Sequence, residues 1–370
     1  MTEPRTLLHV FSTFNVGGPQ MRFAQLANHF GRRYRHLIVA MDGATQAMER
    51  LDPGLDAKTM QVEVRKGRSI ANVRPFRRLL KELRPDLLVT SNWGSLEWAL
   101  AAWGLRIPHL HMEDGFGPEE ADRQLPRRVW LRRLALSRST VVLPSLKLLT
   151  LARDVWKLPQ RNLLYLPNGV DCARFAAEPD HALAESLGIR RDVPLIGAVG
   201  GLRVEKNLFR LLDAFAILHK VRPAQLVLVG GGPQLQELRV AAEARGLADS
   251  VVFTGPCAVP ERLLPLFSVF ALSSDTEQMP LAILEAMAAS RAIASTDVGD
   301  VRAMVAEENR PFVVPRDSGK LAEALLALLA DPERAAAIGR ANRARAVAVY
   351  DQAHMFAAYK RLFDGTPAAS

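Results

Sequence analysis

At 370 residues the chain is too long for one ordinary hydrophobic core, so two domains are expected, and its 49% apolar content is that of a soluble globular protein. No run of 18 apolar residues occurs, so no membrane-spanning helix is expected. Pro4, Arg5 and His9 interrupt what a signal peptide would need, and two cysteines, Cys172 and Cys257, make neither a disulfide framework nor a thiolate metal site. The net charge of +9 is uneven: residues 1–171 carry 26 basic and 16 acidic side chains, and the rest carry 22 and 23.

These totals read as a cytoplasmic protein. A basic first half attracts nucleic acid, an anionic membrane or a phosphorylated substrate, unless it reflects general arginine enrichment.

In chain order, residues 7–11 read as a strand. The turn Asn15-Val16-Gly17-Gly18-Pro19 and a helix over 21–30 follow. Such a βα unit leaves backbone at Gly17 and Gly18 open to a phosphate or sugar. Further strands are expected at 35–41, 62–65, 86–90, 108–112, 140–143 and 162–166, with helices at 73–83 and 95–103. Alternation of this kind predicts an α/β fold, with a mostly parallel sheet covered by helices on both faces.

His109 and His111 alternate along one strand and so share a face. Glu113, Asp114 and the loop Gly115-Phe116-Gly117-Pro118 follow at its C-terminal end, where open α/β sheets gather ligands. The cluster reads as ligand-binding, as metal-binding or as a solvated strand end. Next, 124–139 reads QLPRRVWLRRLALSRS. As a helix it has a basic face of Arg127, Arg128, Arg132, Arg133 and Arg138, and an apolar face that includes Val129, Trp130 and Leu134. It fits anionic lipid, a phosphorylated acceptor or an ordinary surface position.

Pro167-Asn168-Gly169 is a turn by composition, and 172–193 reads as linker and a short helix. A second strand–glycine loop–helix unit follows: strand 194–199, then Gly200-Gly201-Leu202-Arg203-Val204-Glu205-Lys206-Asn207, then helix 208–218. Strand 225–229 runs into Gly230-Gly231-Gly232-Pro233, and strand 250–254 into Gly255-Pro256.

The most informative stretch is 273–300, SSDTEQMPLAILEAMAASRAIASTDVGD, after a strand at 266–272. Pro280 can open a helix, and Leu281, Leu284 and Met287 recur at helical spacing. Glu285 then projects from the second turn and Glu277 from the loop before it. A helix tip at Met279, Pro280 and Leu281 can seat phosphate, and carboxylates on either side can accept from hydroxyls. That chemistry matches a sugar nucleotide. A strand at 312–314, helices over 318–330, 332–350 and 351–363, and a frayed end at 364–370 complete the chain.

This stretch resembles the Glu-x7-Glu signature of the retaining glycosyltransferases of family 4 (glycosyl transferases group 1). Their usual pattern is E-G-x-P-x-x-x-x-E-A-M-A-x-G-x-P followed by T-D-V-G-G. Gln278, Ser290, Ala292 and Asp300 depart from it. Other strings resemble the family in the same order: Gly17-Gly18 at the first-strand loop, Pro167-Asn168-Gly169-Val170-Asp171 between domains, Lys206 in the Gly-Arg-Leu-x-x-x-Lys loop, and Gly230-Gly231-Gly232-Pro233. In the lysine loop the usual arginine position holds Gly201, and Arg203 stands two residues later.

The resemblance implies a GT-B fold: two Rossmann-like, doubly wound domains facing across a cleft. Residues 1–170 would bind acceptor and 171–350 the nucleotide sugar, with a C-terminal helix in 351–370 packing back on the first domain. It implies retaining transfer of a sugar, hexosyltransferase type, from a nucleotide-diphosphate donor to a hydroxyl. A role in polysaccharide or glycolipid synthesis would follow. Glu277 would act at the reacting sugar, and one of His111, Glu113 and Asp114 would take the family's usual histidine place. Donor contacts would come from Gly17, Gly18, Arg203, Lys206, Gly232, Gly255, Met279, Pro280, Leu281 and Glu285. With no Asp-x-Asp, no metal and no cofactor beyond the sugar nucleotide are expected. The expected partners are that donor and a hydroxyl acceptor, lipid-linked or otherwise anionic, met at the inner face of an anionic membrane; no nucleic acid is expected. The rival readings are a non-hydrolysing sugar-nucleotide epimerase and a non-catalytic sugar-nucleotide binder.

Overall fold

The computed structural model describes residues 3–65, 69–116, 120 and 124–365. It divides into two compact units, Met1–Asn168 with Met355–Ser370, and Gly169–His354. Gly117 and Pro118, from the loop after the paired histidines, lie outside the described residues.

The first unit runs β1 (Arg5–Phe11), α1 (Gly18–Phe30), β2 (Tyr34–Ala40), β3 (Ala57–Met60), α2 (Ser69–Leu83) and β4 (Leu87–Ser91). It continues α3 (Leu96–Ala101), β5 (His109–Met112), α4 (Pro126–Ala135), β6 (Thr140–Leu143), α5 (Leu146–Asp154) and β7 (Leu163–Tyr165). The strands form one parallel sheet in the order β3-β2-β1-β4-β5-β6-β7. Its central strands are near-continuous apolar runs because helices cover both faces. On one face Leu8, Val10 and Leu88 pack with Phe76 and Trp98, whose rings stack 4.4 Å apart.

The strand expected at 62–65 does not form; β3 lies earlier and pairs with β2 from Ala57 opposite His36. Val62 and Val64 still bury against the Leu8–Leu88 cluster, so their apolar pattern reports packing and not a ladder. Helix α5, not foreseen, starts at Ser145, whose hydroxyl accepts from the Leu148 amide at 3.1 Å.

The second unit runs α6 (His181–Ser186), β8 (Leu195–Val199), α7 (Leu208–His219), β9 (Gln225–Val229), α8 (Leu235–Ala244), β10 (Val251–Gly255) and β11 (Val269–Leu272). It continues α9 (Leu281–Ala288), β12 (Ala292–Thr296), α10 (Val301–Met304), β13 (Val313–Val314), α11 (Ser318–Ala330) and α12 (Pro332–Arg345). Its sheet is also parallel, in the order β10-β9-β8-β11-β12-β13. Leu211, Phe215 and Leu325 cover one face; Phe267, Ile283 and Met287 belong to the core of the other.

The last helix, α13 (Gln352–Asp364), contributes Met355, Phe356, Tyr359 and Phe363 to the first unit's core. The expected fraying does not begin at Asp364, whose carboxylate accepts from the Tyr34 hydroxyl at 2.7 Å and from Arg33 at 2.9 Å. Residues 366–370 lie outside the described residues. No described helix is long and apolar enough to cross a membrane.

In each sheet the strand order reverses beside the first strand, between β1 and β4 and between β8 and β11. Loops leaving neighbouring strands at such a point diverge to opposite faces and leave a crevice at the carboxyl ends.

Candidate active site

At the second unit's crevice the loop after β8 meets the loop after β11. Lys206 Nζ lies 2.5 Å from Glu277 Oε1. The same oxygen accepts from Ser274 Oγ at 2.8 Å, and Ser273 Oγ donates to the Lys206 carbonyl at 3.0 Å. Thr296 Oγ1 donates to the Ser274 carbonyl at 2.7 Å, fixing the loop from behind. Asn207 takes up a left-handed backbone, φ 41°, caps α7 with its side chain and donates to Asp275 at 2.9 Å. Gly200, Gly201, Lys206, Ser273 and Ser274 line a small pocket here.

Two glycines matter through close approach. A Cβ on Gly232 would sit 2.4 Å from the Leu202 carbonyl, so the loop after β9 can press on the lysine loop. One on Gly299, at φ +54°, would sit 2.4 Å from the Gln278 carbonyl and 2.6 Å from that of Glu277. The Thr296–Asp300 string therefore braces the backbone that carries Glu277, and the Asp300 amide donates to the Gln278 carbonyl at 2.9 Å. Gly255 lies at the end of β10, where its carbonyl accepts from the Gly230 amide at 3.0 Å.

Pro280 stands one residue before the position expected for it, capping α9 in an extended conformation, with Met279 buried and Leu281 opening the helix. Glu285 sits in the second turn of α9. Burial pushes its carboxyl up to about 7; Arg174 pulls it back and Glu261 pushes it further. Arg174 and Glu261 are themselves paired at 2.9 Å. Arg203 is 53% exposed and lies 3.7 Å from Glu205. It folds over Gly201: a Cβ there would stand 2.8 Å from Arg203 Nε, so the arginine fills space above the glycine.

In the first unit, Gly17 caps α1 and accepts from the Met21 amide at 2.9 Å. Around Gly18 no atom lies within 4 Å of where a Cβ would stand, so backbone is open there. The cluster at the end of β5 departs from expectation. The His111 and Glu113 side chains are 0% exposed. Thr90 Oγ1 bridges His109 Nε2 and His111 Nδ1, both at 2.8 Å, and His109 Nδ1 meets Ser139 at 2.7 Å. Burial and the neighbouring His111 hold His109 down to about 3, so it is neutral. Glu113 lies 3.5 Å from Arg132. Both expected site residues, His111 and Glu113, are therefore enclosed within the first unit. Asp114 alone of the three retains exposed side-chain surface, and it grips the buried Arg22 in a two-point ion pair. Arg22 also donates to Asn168 at 3.0 Å.

The arginine helix is turned differently from its amphipathic reading. Arg132 is fully buried, paired with Glu120 at 2.9 Å, with the rings of Trp93, Phe116 and Trp156 about its guanidinium at 4.9–5.0 Å. Arg128 also pairs with Glu120, at 3.1 Å. Trp130, assigned to the apolar face, is 62% exposed beside exposed Arg127 and Arg133. Three features were missed in the sequence: the Arg22–Asp114 pair, the serines behind Glu277, and the Arg174–Glu261 pair near Glu285. Arg22 had a signal, as the one formally charged residue of α1; Ser273 and Ser274 had one as paired hydroxyls ending an apolar strand.

Comparison with known proteins covers both units. Residues 16–174 match the family model described as Glycosyltransferase Family 4, and residues 180–345 match Glycosyl transferases group 1. A GDP-mannose-dependent alpha-(1-6)-phosphatidylinositol monomannoside mannosyltransferase of Mycobacterium tuberculosis is 36% identical over 201 residues, 50% of this chain and 51% of that protein. The chain thus spans about half the length of the first curated relatives it matches. A 2-deoxystreptamine N-acetyl-D-glucosaminyltransferase of Streptomyces fradiae is 28% identical over 358 residues, 86% of this chain and 84% of that protein. Among solved structures, Anabaena Alr3699/HepE in complex with UDP superposes with a TM-score of 0.81 at 19% identity, covering 98% of this chain and 100% of that one. With both halves matched and the two parallel sheets in place, the chain belongs to the group 1 glycosyl transferases, glycosyltransferase family 4, and has the GT-B fold.

Proposed function

We propose that the chain transfers a hexosyl group from a nucleotide-diphosphate sugar to a hydroxyl, with retention at the anomeric carbon and no tightly held metal. The observation that carries this reading is the Lys206–Glu277 pair at the mouth of the second unit's crevice, with Glu285 on the helix that follows. Lys206, aided by Arg203, holds the diphosphate. As the bond from the anomeric carbon to the diphosphate oxygen breaks, negative charge develops on that oxygen, and a fixed cation lowers the barrier. Glu277 accepts from the sugar's hydroxyls and stabilises positive charge at the anomeric centre. Glu285 accepts from the ribose hydroxyls. The acceptor hydroxyl bonds to the same face and passes its proton to the departing phosphate oxygen. In the first unit, Gly17, Gly18 and Asp114 are assigned to the sugar or acceptor in place of His111 and Glu113.

Relatives named for a phosphatidylinositol mannoside and for 2-deoxystreptamine support a hydroxyl acceptor, lipid-linked in the first case. The exposed Trp130 beside Arg127 and Arg133 supports a peripheral position on an anionic membrane, where a tryptophan ring seats at the headgroup level. A thermal-shift screen over UDP-, GDP- and ADP-sugars, followed by NMR of the anomeric configuration of product, tests the reaction. It requires one base to stabilise selectively and the product to keep the donor's configuration; inversion, or donor consumption without acceptor, contradicts it. Vesicle co-sedimentation tests the location: anionic vesicles should bind the wild type, and Trp130→Ala should weaken binding.

A further inference from the structure

A second cavity, of about 330 Å³, lies at the opposite end of the second unit's sheet from the lysine loop. Its wall includes Pro194, Ser268 and Ala292, at or just before the first residues of β8, β11 and β12. Three arginines line it, Arg222, Arg291 and Arg340, and among the described residues no carboxylate, histidine or cysteine does. Arg291 is anchored by carbonyls: Nε donates to Ala289 at 2.8 Å, and Nη1 to Phe267 at 2.8 Å and Pro265 at 3.2 Å. Burial lowers its pKa, and no acid offsets that. Among the described residues neither Arg222 nor Arg340 makes a side-chain ion pair. Guanidinium groups gathered without counter-charge favour an anion.

The second observation is conformational. Ser290 has φ +60°, a left-handed backbone that glycine adopts without strain. The family string has glycine there and proline two residues later, where this chain has Ala292. Both departures, and Arg291 between them, line this cavity. The serine places a hydroxyl-bearing side chain on the wall at the cost of strain, and the alanine leaves room that a proline ring would take. The turn closes α9, with the Ser290 amide donating to the Met287 carbonyl at 3.0 Å and the Arg291 amide to the Ala286 carbonyl at 2.9 Å. Ser268 Oγ accepts from the Leu195 amide at 3.2 Å, so its own proton is free to be donated. Leu328, Leu329 and Ala335 supply an apolar wall for the body of a ligand.

We propose that this cavity binds a small phosphate monoester of phosphosugar size, its phosphate held by Arg222, Arg291 and Arg340 with the Ser290 hydroxyl. With no acid, histidine or thiol among the described lining residues, the site binds this ligand without reacting with it.

Thermal-shift titrations with glucose 6-phosphate and with inorganic phosphate, against sodium chloride at matched ionic strength, test this on three proteins. These are the wild type, Arg222→Gln/Arg340→Gln, and Lys206→Ala. A saturable rise in Tm is expected in the wild type and in Lys206→Ala. The half-saturating concentration should be at least tenfold higher in the double variant, whose unliganded Tm should match the wild type because it loses no ion pair. Ser290→Gly should raise the unliganded Tm and still weaken phosphate binding. No saturable shift beyond the chloride control overturns the proposal. So does a shift lost in Lys206→Ala but kept in the double variant, which would put the anion at the lysine loop.

Discussion

Lys206 Nζ and Glu277 Oε1 stand 2.5 Å apart, so one ion pair joins the loops that leave β8 and β11. The pair is largely shielded, its side chains 26% and 11% exposed. A diphosphate at the lysine would replace the carboxylate as its counter-charge and leave the glutamate for a sugar hydroxyl. Both groups thus have a second role within reach of the same crevice.

Glu277→Ala should lower kcat by about a hundredfold, the loss of roughly 2.7 kcal/mol of transition-state stabilisation. Nucleoside diphosphate affinity should stay within about threefold, because Lys206 remains. Steady-state kinetics paired with equilibrium binding check the split, and a fall in affinity with kcat intact would move Glu277 away from the reacting sugar.

Glu285 sets a pH dependence. Its carboxyl is raised to about 7 in the fold, against about 4.3 in an unfolded chain. The ionised form is the one the fold disfavours, so this group's penalty grows as pH rises from about 4.5 to 7 and is constant above that. Glu285→Gln should therefore gain Tm over the wild type at pH 8 and not at pH 4.5. Donor binding should show the opposite trend. The carboxylate is the better acceptor for ribose hydroxyls, so wild-type affinity should fall between pH 8 and pH 6 while Glu285→Gln stays weak and flat. Titration calorimetry at the two pH values reads this directly.

Arg203 covers Gly201, the place where the family's string carries its arginine. Under the proposed reading it serves as the second cation on a diphosphate. Arg203→Ala should weaken donor binding about tenfold, within the roughly 1.5–3 kcal/mol of one charge-assisted contact. In that background Gly201→Arg should recover part of the loss. In the wild type the same change must displace Arg203 and should add little.

Arg132 is a stability residue. Arg132→Leu leaves the buried Glu113 without its arginine, while Glu120 keeps Arg128, and should cost about 3–5 kcal/mol. Chemical denaturation should show this, with donor affinity of the folded fraction unchanged. A substitution that leaves stability unchanged would mean that the three surrounding rings alone hold that region.

What the sequence made legible was local and periodic. Glycine loops after apolar strands, and two acids bracketing the start of α9, mark the crevice because their spacing is set by one βα unit. The burial of Arg132 and His111 and the exposure of Trp130 were not legible because they depend on partners far along the chain. Glu120, Trp93, Phe116 and Trp156 make a buried arginine affordable, and Thr90 and Ser139 satisfy a buried histidine pair. Hydrophobic periodicity scores each side chain alone and cannot register such compensation. The same limit explains residues 62–65, where alternate valines bury without a strand to pair with.

The central claim is that the loops after β8 and β11 hold a nucleoside diphosphate through Lys206. Titration calorimetry of UDP, GDP and ADP against the wild type and Lys206→Ala tests it most directly. One nucleotide should bind the wild type saturably and bind Lys206→Ala at least tenfold more weakly, with both proteins folded at the temperature of the titration. Equal affinity in the two proteins, or no binding of any of the three, would contradict it.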